Sequence, residues 1–283
     1  MNINNLPEDV ITIIFQNIND YQNLIILESI QRSFMKIIRK TKWNNITITS
    51  TNLKKIKFIK ETYQFTKYDL SGSDITNDML THFHDCHTIN LFNCHHISDE
   101  SVKHLGGCHT LRFYTCQITD EGIKYLGNCH TLSLFRCNRI TDKGVKYLGK
   151  CQNLNLEECY QITDDSVKYL ANCHTLNLSR CYQITDESLK HLGNCYSLTL
   201  IYCKNITDEG IKYLTNCRIL NLAGCNKITD AGIKYLGNCY DINLELCDKI
   251  TYNGLKYLKN CYNINRGYHG YSFDKKLYKK IHQ

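Results

Sequence analysis

Apolar residues return along most of this chain with a period of about 22 residues. In the unit 173–194, Leu176 and Leu178 are two apart around a polar residue, which predicts a short strand with one buried face. Leu189 and Leu192 follow three apart on one face of a helix, and a Gly-Asn pair ends the unit. Each unit therefore predicts a strand, a turn, a short helix and a return.

The same unit carries a signal for the start of its helix. Thr185 and Asp186 are residue types that cap helix N-termini, and Glu187 adds negative charge to the first turn. A repeated unit of this length buries its apolar face only against its neighbours, so the period indicates a solenoid. We expect an α/β fold in which parallel strands about 4.8 Å apart form one curved sheet with the helices outside.

All 17 cysteines fall on this period, in two series. Each cysteine of the second series lies eight residues after one of the first series. The first series is Cys86, Cys108, Cys129, Cys151, Cys173, Cys195, Cys217, Cys239 and Cys261, and the second is Cys94, Cys116, Cys137, Cys159, Cys181, Cys203, Cys225 and Cys247. One step in each series is 21 residues instead of 22.

Metal binding or redox chemistry is one interpretation of these thiols, and several units carry a Cys-His pair. Zinc ligands, however, usually stand two to four residues apart in converging pairs. We favour small buried side chains that fill the interior of the coil, with no metal and no disulfide. An odd number of unpaired thiols indicates a reducing compartment.

The pattern C-x-x-L-x-L-x-x-C-x-x-I-T-D-x-x-[ILV]-x-x-L occurs nearly unaltered in five consecutive units. These begin at Cys129, Cys151, Cys173, Cys195 and Cys217. The pattern resembles the cysteine-containing class of leucine-rich repeats. The resemblance implies repeats over 65–261, with the second cysteine of each unit at the place that asparagine takes in other leucine-rich repeats.

The two ends of the repeat region depart from the pattern. In the entry unit 65–85, Phe65 and Ser73 take the places of the two cysteines. Near the other end, Arg266 replaces a strand leucine, so we interpret 262–283 as a C-terminal cap with a basic tail.

Residues 1–45 lie outside the repeat and contain the only proline, Pro7, and the only tryptophan, Trp43. Three apolar stretches predict three short helices, the first opened by Leu-Pro-Glu-Asp. This stretch resembles the F-box, with matches in order at Leu6, Pro7, Asp9, Ile14, Ile18, Asp20, Leu24, Leu27, Ile30, Arg32, Phe34 and Trp43. Residues 46–64, with a strand-like start and a helical remainder, are interpreted as a cap between the F-box and the repeats.

The combined resemblance implies a substrate receptor of an SCF-type ubiquitin ligase. The F-box would dock on the Skp adaptor, which binds a cullin, and the solenoid would hold the protein to be ubiquitinated. The adaptor-binding residues would form an exposed apolar patch of Leu6, Pro7, Ile14, Ile18 and Leu24. We expect the chain itself to be no enzyme and to need no cofactor, because it has no Gly-rich phosphate loop or single reactive cluster. The alternative is an interaction scaffold or decoy that binds the adaptor without delivering substrate.

The predicted substrate surface lies on the concave side of the sheet. Phe92, Tyr114 and Phe135 share one column in three successive units, with Arg112 and Arg136 beside them. Aromatic residues and arginine are the types that most often anchor interfaces. We therefore predict that the substrate binds here; the alternative is that the rings only pack along the sheet.

The formal net charge of +7 raises the question of nucleic acid. Residues 65–261 hold 20 Lys and Arg against 21 Asp and Glu, so the excess lies in the two ends. A phosphate-binding surface needs a net basic stripe, so no nucleic-acid partner is expected. No apolar run of ~18 residues and no signal-peptide pattern occur, so we expect no membrane partner and a cytoplasmic address, with the nucleus as an alternative.

One further row of rings recurs in the predicted helices. Its members are Tyr125, Tyr147, Tyr169, Tyr213, Tyr235 and Tyr257. A base-stacking surface is one interpretation. We favour rings that stack unit on unit over the outer layer.

Overall fold

Eleven strands form one parallel sheet in residues 7–17, 21–30 and 32–267, the part of the chain that the computed structural model describes. The strands lie in chain order, so each one pairs with the strands of the preceding and following units. They are β1 (Lys42–Thr49), β2 (Gln64–Asp69), β3 (Thr88–Leu91), β4 (Thr110–Tyr114), β5 (Thr131–Phe135), β6 (Asn153–Asn155), β7 (Thr175–Asn177), β8 (Ser197–Thr199), β9 (Ile219–Asn221), β10 (Asp241–Asn243) and β11 (Asn263–Asn265). The predicted parallel sheet with connecting helices is confirmed.

Three helices precede the sheet, and short helices connect its strands. The first three are α1 (Glu8–Gln16), α2 (Tyr21–Ile30) and α3 (Arg32–Lys40). The connecting helices are α4 (Leu53–Thr62), α5 (Asn77–Leu80), α6 (Asp99–Val102), α7 (Asp120–Ile123), α8 (Asp142–Val145), α9 (Asp164–Val167), α10 (Asp186–Leu189), α11 (Asp208–Ile211), α12 (Asp230–Ile233) and α13 (Tyr252–Leu255). None of the helices in the described ranges has the length and apolar content that crossing a bilayer requires.

The connecting helices from α5 onward are single turns. Leu189 ends α10, and Leu192 lies in the turn that follows, yet both side chains are fully buried. In some units a 3-10 turn continues the helix, as at Lys168–Leu170 after α9. The apolar spacing therefore predicts the two buried side chains correctly, but the helix ends before it reaches the second of them.

The threonine before each helix from α7 to α13 caps it, as predicted, whereas Thr76 before α5 and Ser98 before α6 make no side-chain cap bond. In α10, Thr185 Oγ1 accepts a hydrogen bond from the Glu187 amide at 3.3 Å. The same bond occurs at Thr119, Thr141, Thr163, Thr207, Thr229 and Thr251. Each cap satisfies one of the amides that a helix N-terminus leaves without a partner.

The aspartate at the first position of each helix from α6 to α12 joins its unit to the next one. Asp186 Oδ1 accepts the Thr207 amide at 2.8 Å, and Asp186 Oδ2 accepts the Thr207 hydroxyl at 2.6 Å. We call this arrangement the Asp–Thr ladder; its steps are Asp99–Thr119, Asp120–Thr141, Asp142–Thr163, Asp164–Thr185, Asp186–Thr207, Asp208–Thr229 and Asp230–Thr251. A Cβ on Gly210 would lie 2.4 Å from Asp186 Oδ1, so this helix position takes a small residue.

All 17 cysteines are buried between the sheet and the helices, which confirms their predicted place in the interior. Six thiols of the second series donate to the backbone carbonyl of a leucine in the preceding unit, over Sγ–O distances of 3.1–3.3 Å. The six are Cys94, Cys159, Cys181, Cys203, Cys225 and Cys247, and we call their contacts the thiol ladder. Burial raises the pKa of Cys159 to about 12, which keeps this thiol protonated at neutral pH.

The strand predicted at the start of 46–64 is the end of β1, and the helix predicted after it is α4. Trp43 is fully buried, lies opposite Phe65 in the β1–β2 register, and donates its indole N–H to the Ile38 carbonyl at 2.9 Å. Buried Glu28 of α2 accepts the Tyr63 hydroxyl at 2.5 Å and also pairs with Arg39 of α3. These contacts attach the N-terminal helices to the first strands of the sheet.

The predicted C-terminal cap begins as one more unit of the solenoid. β11 continues the sheet with Ile264 buried, although Asn263–Asn265 falls inside the tract interpreted as a cap. The tract interpreted as a cap therefore contributes the last strand of the sheet, and its start at 262 stays a prediction. Arg266 donates to the Ile250 carbonyl at 2.8 Å, and the basic tail at 268–283 lies outside the described residues.

Candidate binding surfaces

Three aromatic side chains lie together at the C-terminal ends of β3, β4 and β5. The Phe92 and Tyr114 rings are stacked, with centroids 4.3 Å apart and planes 11° apart. The Tyr114 and Phe135 centroids are 5.0 Å apart, and these two residues are register partners. We call Phe92, Tyr114 and Phe135 the aromatic row; Phe92 is 39% exposed and the other two are half-buried.

The strands beneath the aromatic row are longer than those that follow. In seven units, an Asp or Asn in the strand accepts the amide two residues later at 2.9–3.2 Å. These acceptors are Asp69, Asn90, Asn155, Asn177, Asn221, Asn243 and Asn265. In β4 and β5 that position holds Arg112 and Ser133, and both strands run on to the ring residues Tyr114 and Phe135. Backbone pairing therefore extends directly under two of the three rings.

Two arginines accompany the aromatic row. The Arg136 guanidinium carbon lies 6.0 Å from the Tyr114 ring centroid and 5.8 Å from that of Phe135. Arg136 Nη1 also donates to the Tyr114 hydroxyl at 2.9 Å. Arg112 lies in β4 opposite Asn90 and is exposed. The structure thus brings four of the five predicted substrate-binding residues into direct contact and leaves Arg112 beside them in β4.

A buried carboxylate organises the arginines at the end of the row. Glu158 is only 2% exposed, yet it accepts hydrogen bonds from Arg136, from Arg180 at 2.5 Å and from the Tyr160 hydroxyl at 3.0 Å. Burial would raise the pKa of this carboxyl, but the bonds from the two arginines and Tyr160 outweigh it and hold the pKa below its usual range. The Arg180 guanidinium carbon in turn lies 5.3 Å from the Tyr202 ring centroid. Rings and guanidinium groups therefore continue along the same edge to the turn after β8.

The residue just before each second-series cysteine has a left-handed backbone. The non-glycine residues of this kind are Asn93, Thr115, Arg136, Glu158, Arg180, Tyr202 and Leu246, with φ between 47° and 59°. This conformation costs about 1–2 kcal/mol for residues other than glycine. The amides of Arg136, Glu158 and Arg180 each donate to a carbonyl of the following unit at 2.8–2.9 Å, which offsets that cost. Gly72, Gly224 and Asn93 at this position are residue types that favour the conformation, whereas Arg136, Glu158 and Arg180 give no such signal.

The exposed apolar side chains of the N-terminal helices form the second candidate surface. Ile13 and Ile14 in α1 and Ile25 and Ile26 in α2 all reach solvent, with Ile13 at 61% and Ile26 at 54% exposed. We call these four residues the exposed isoleucines. Large apolar side chains left in water on two consecutive helices that both contact α3 are typical of a surface that a partner covers.

The predicted adaptor-binding residues are only partly on this surface. Ile14 and Pro7 are exposed, as predicted. Leu24 is fully buried in the core, so its assignment to an exposed patch is wrong. Leu6 and Ile18 lie outside the described residues. Ile13, Ile25 and Ile26 are additions that the sequence pattern did not single out.

The outer tyrosine row is not stacked, contrary to the prediction. Within the described ranges, five of its six rings pair with the lysine that precedes them and not with one another, while Lys256 lies over Tyr252 instead of Tyr257. The ammonium nitrogen lies 4.8 Å from the ring centroid in the Lys234–Tyr235 pair and 5.0 Å in the Lys146–Tyr147 pair. The repeat period of about 22 residues brings the same lysine–tyrosine dipeptide to each helix, and the lysine stem covers the ring locally.

The stacked rings are instead those that follow the first-series cysteines. The His87 and His109 centroids are 4.5 Å apart, and those of His109 and His130 are 4.6 Å apart. Burial lowers the pKa of His87, and the nearby His109, Lys67 and Lys42 lower it further. In the part of the chain that the structure describes, no three His, Cys, Asp or Glu residues are placed to hold a metal ion.

The lowered pKa of His87 predicts that the stability of the fold depends on pH. A histidine whose folded pKa is lowered binds fewer protons than the unfolded chain does, so its contribution is present at higher pH and is lost as pH falls through about 6.5. We expect the melting temperature to fall as pH goes from about 7.5 to about 5.5, and His87→Gln to reduce that fall. An equal fall in the wild type and in His87→Gln would show that this stack does not contribute.

The family comparison identifies the repeated unit. A family described as leucine-rich repeat matches residues 130–149 and 215–237. The fold is a leucine-rich-repeat solenoid. No curated protein sequence matches this chain.

Solved structures share the leucine-rich-repeat fold at low sequence identity. An internalin, InlF from Listeria monocytogenes, is 19% identical, with a TM-score of 0.58 over 80% of this chain and 67% of its own. TLR13, solved in a complex with ssRNA13, is 21% identical, with a TM-score of 0.60 over 80% of this chain and 36% of its own. Drosophila Toll, solved in a complex with Spätzle, is 11% identical, with a TM-score of 0.54 over 81% of this chain and 40% of its own. At these identities the likeness shows the fold alone.

Proposed function

We propose that this protein is the substrate-recognition subunit of an SCF-type ubiquitin ligase. Helices α1–α3 dock on a Skp adaptor that carries a cullin, and the solenoid binds the protein to be ubiquitinated. The chain performs no chemistry itself. Its contribution is proximity, because it holds an acceptor lysine near the conjugating enzyme.

The observation that carries the proposal is the exposed isoleucines on helices that are fixed to the solenoid. Four isoleucines in water are unfavourable for the free protein, since burying one such side chain is worth roughly 1.5–3 kcal/mol. The Glu28–Tyr63 bond and the Trp43–Ile38 bond hold α2 and α3 against the first strands. A partner that covers α1 and α2 would therefore be held at a set distance from the aromatic row.

The aromatic row is the proposed substrate surface. Its rings pack against one another and against Arg136, so they are ordered before a partner arrives and lose little entropy on binding. Interfaces are enriched in aromatic rings and arginine at their centres. The row brings three rings and Arg136 together on the described surface of the sheet.

The proposal is tested by capture of a purified Skp adaptor. Ile13→Ser combined with Ile26→Ser should weaken adaptor binding at least tenfold, because about 2–4 kcal/mol of apolar burial is removed. Phe58→Ser is the matched control, since Phe58 is 55% exposed on α4, outside the three N-terminal helices. Binding constants from calorimetry or surface plasmon resonance provide the measurement.

Three outcomes separate the proposal from its alternative. Loss of binding in the double variant but not in Phe58→Ser supports docking through α1 and α2. A wild-type chain that binds no adaptor contradicts the proposal. A wild-type chain that binds the adaptor but yields no cullin-dependent ubiquitination of any captured protein supports the scaffold or decoy alternative instead.

A further inference from the structure

The thiol ladder is interrupted at two neighbouring cysteines. Cys116 and Cys137 are the two members of the second series that make no thiol-to-leucine bond among the described residues. The Cys137 thiol reaches only the Phe135 carbonyl, at 3.7 Å. The two sulfur atoms face each other instead, with Cys116 Sγ 2.6 Å from Cys137 Sγ.

The interruption has a cause in the sequence. The unit that contains Cys116 is the one with 21 residues, and the missing residue lies between this cysteine and Ile118. In the next unit, two residues separate Cys137 from Ile140. The shorter turn draws the Cys116 side chain out of its usual place, and Cys116 is 6% exposed, more than any other cysteine.

The backbone at this point suits a covalent bridge. Tyr114 and Phe135 are register partners in neighbouring strands, and each cysteine lies two residues beyond one of them. Neighbouring strands are about 4.8 Å apart, which falls within the 4.4–6.8 Å between Cα atoms that a disulfide spans. In the thiol ladder the spacing is similar, but there each Sγ is directed to a carbonyl oxygen.

We propose that Cys116 and Cys137 are a site of reversible disulfide formation by a small hydroperoxide. The Cys116 sulfur attacks one oxygen of hydrogen peroxide and the O–O bond breaks. The thiol proton leaves with the released hydroxide as water, and Cys116 becomes a sulfenic acid. The Cys137 sulfur then attacks the Cys116 sulfur, the S–O bond breaks, and the Cys137 proton leaves with the hydroxide as a second water. Two thiols are oxidised by two electrons, and one hydrogen peroxide is reduced to two waters. A dithiol reverses the bridge by exchange.

The two cysteines have different roles in this sequence. Cys116 is the more exposed of the pair, so a small oxidant reaches it first. Cys137 is fully buried, and the hydrogen bond with Cys116 together with burial raises its pKa strongly, so it acts second, when the sulfenic acid is beside it. The remaining thiols are also buried and keep raised pKa values, as in Cys203 at about 12.

The bridge would act directly behind the aromatic row. It would join the turns that follow Tyr114 and Phe135 and restrain Thr115 and Arg136, the left-handed residues before the two cysteines. The spacing of two rings and one guanidinium group would then be fixed covalently. This site does not depend on the proposed ligase function.

The test treats the full chain with hydrogen peroxide and counts free thiols after denaturation. We expect the count to fall from seventeen to fifteen, the mass to fall by two hydrogens, and a reducing agent to restore both. Peptide mapping of the wild type should find the bond between Cys116 and Cys137, which needs no variant. Cys116→Ser and Cys137→Ser should each abolish the bond, whereas Cys159→Ser, which removes a thiol-ladder member, should retain it.

Other results would overturn the inference. One is a bond between any other pair of cysteines. Another is stable sulfenic or sulfinic acid at Cys116 with Cys137 still free. The last is an unchanged thiol count at a peroxide concentration that oxidises an exposed cysteine in a reference protein.

Discussion

Asp186→Ala is expected to destabilise the solenoid by about 2–4 kcal/mol, since hydrogen bonds to a charged group contribute roughly 1.5–3 kcal/mol each. Asp186 accepts both the amide and the hydroxyl of Thr207, and the variant leaves that amide without a partner between two units. Chemical denaturation of the full chain measures the change in the free energy of unfolding.

The neighbouring residue provides the control. Glu187 is exposed, and its carboxylate pairs with Lys190 at the C-terminal end of the same helix, so Glu187→Ala should cost less than about 0.5 kcal/mol. Asp186→Asn should fall between the two alanine variants, because its side chain keeps one acceptor oxygen. Equal losses for Asp186→Ala and Glu187→Ala would show that the Asp–Thr ladder does not hold the units together.

Removing the aromatic row should weaken target binding at least a hundredfold. Phe92→Ala, Tyr114→Ala and Phe135→Ala together delete three ring side chains, and interface anchors of this type are worth about 2 kcal/mol or more each. The rings also contact one another, so the variant should lose a further 1–3 kcal/mol, roughly, of folding stability. Proteins captured by the wild-type solenoid are purified, and their dissociation constants for both forms are measured.

A second pair of stacked rings provides a control that distinguishes lost binding from lost folding stability. Tyr240 and Tyr262 stack with centroids 5.1 Å apart at the far end of the sheet. Replacing both with alanine should leave the dissociation constant unchanged. A triple variant that binds its target as the wild type does, or a Tyr240/Tyr262 variant that fails to bind it, would place the target elsewhere.

The fold could be predicted from the sequence because the same spacing of cysteines and leucines repeats in every unit. The cysteine period and paired leucines such as Leu176 and Leu178 place each strand and its buried face. Thr185 also predicts its helix start, since capping depends on atoms two residues away. These are local relations, and the sequence contains them directly.

Relations between units were not predictable in the same way. Asp186 follows a capping threonine, so its place at a helix N-terminus is enough to explain an aspartate there. Its bond to Thr207 joins two residues that are 21 positions apart in the sequence, and no local pattern indicates it. The left-handed backbone at Arg136 and Glu158 follows from the turn of the coil and not from their residue types. The contact between Cys116 and Cys137 depends on one missing residue.

The candidate sites also depend on contacts between residues that are distant in the sequence. Leu24 is assigned to the exposed patch from its match to the F-box pattern, and the apolar run in α2 has no clear helical period that could contradict this assignment. The buried bonds of Glu28 decide the orientation of α2, because Glu28 lies one turn after Leu24 and faces inward with it. A carboxylate in the core is the least expected feature of that helix, and its partners Arg39 and Tyr63 lie in later elements.

The Asp–Thr ladder has a consequence for how the gene evolves. Every step joins the same two residue types with the same two bonds, so any aspartate of the ladder is a suitable neighbour for any threonine. If recombination between similar segments removed residues 173–194, Asp164 would meet Thr207 in place of Thr185. Whole units are therefore gained or lost without creating mismatched surfaces, and the solenoid changes length as a tandem array does. Natural variants should differ by complete units, while insertions of a few residues should be rare between Asp164 and Thr207.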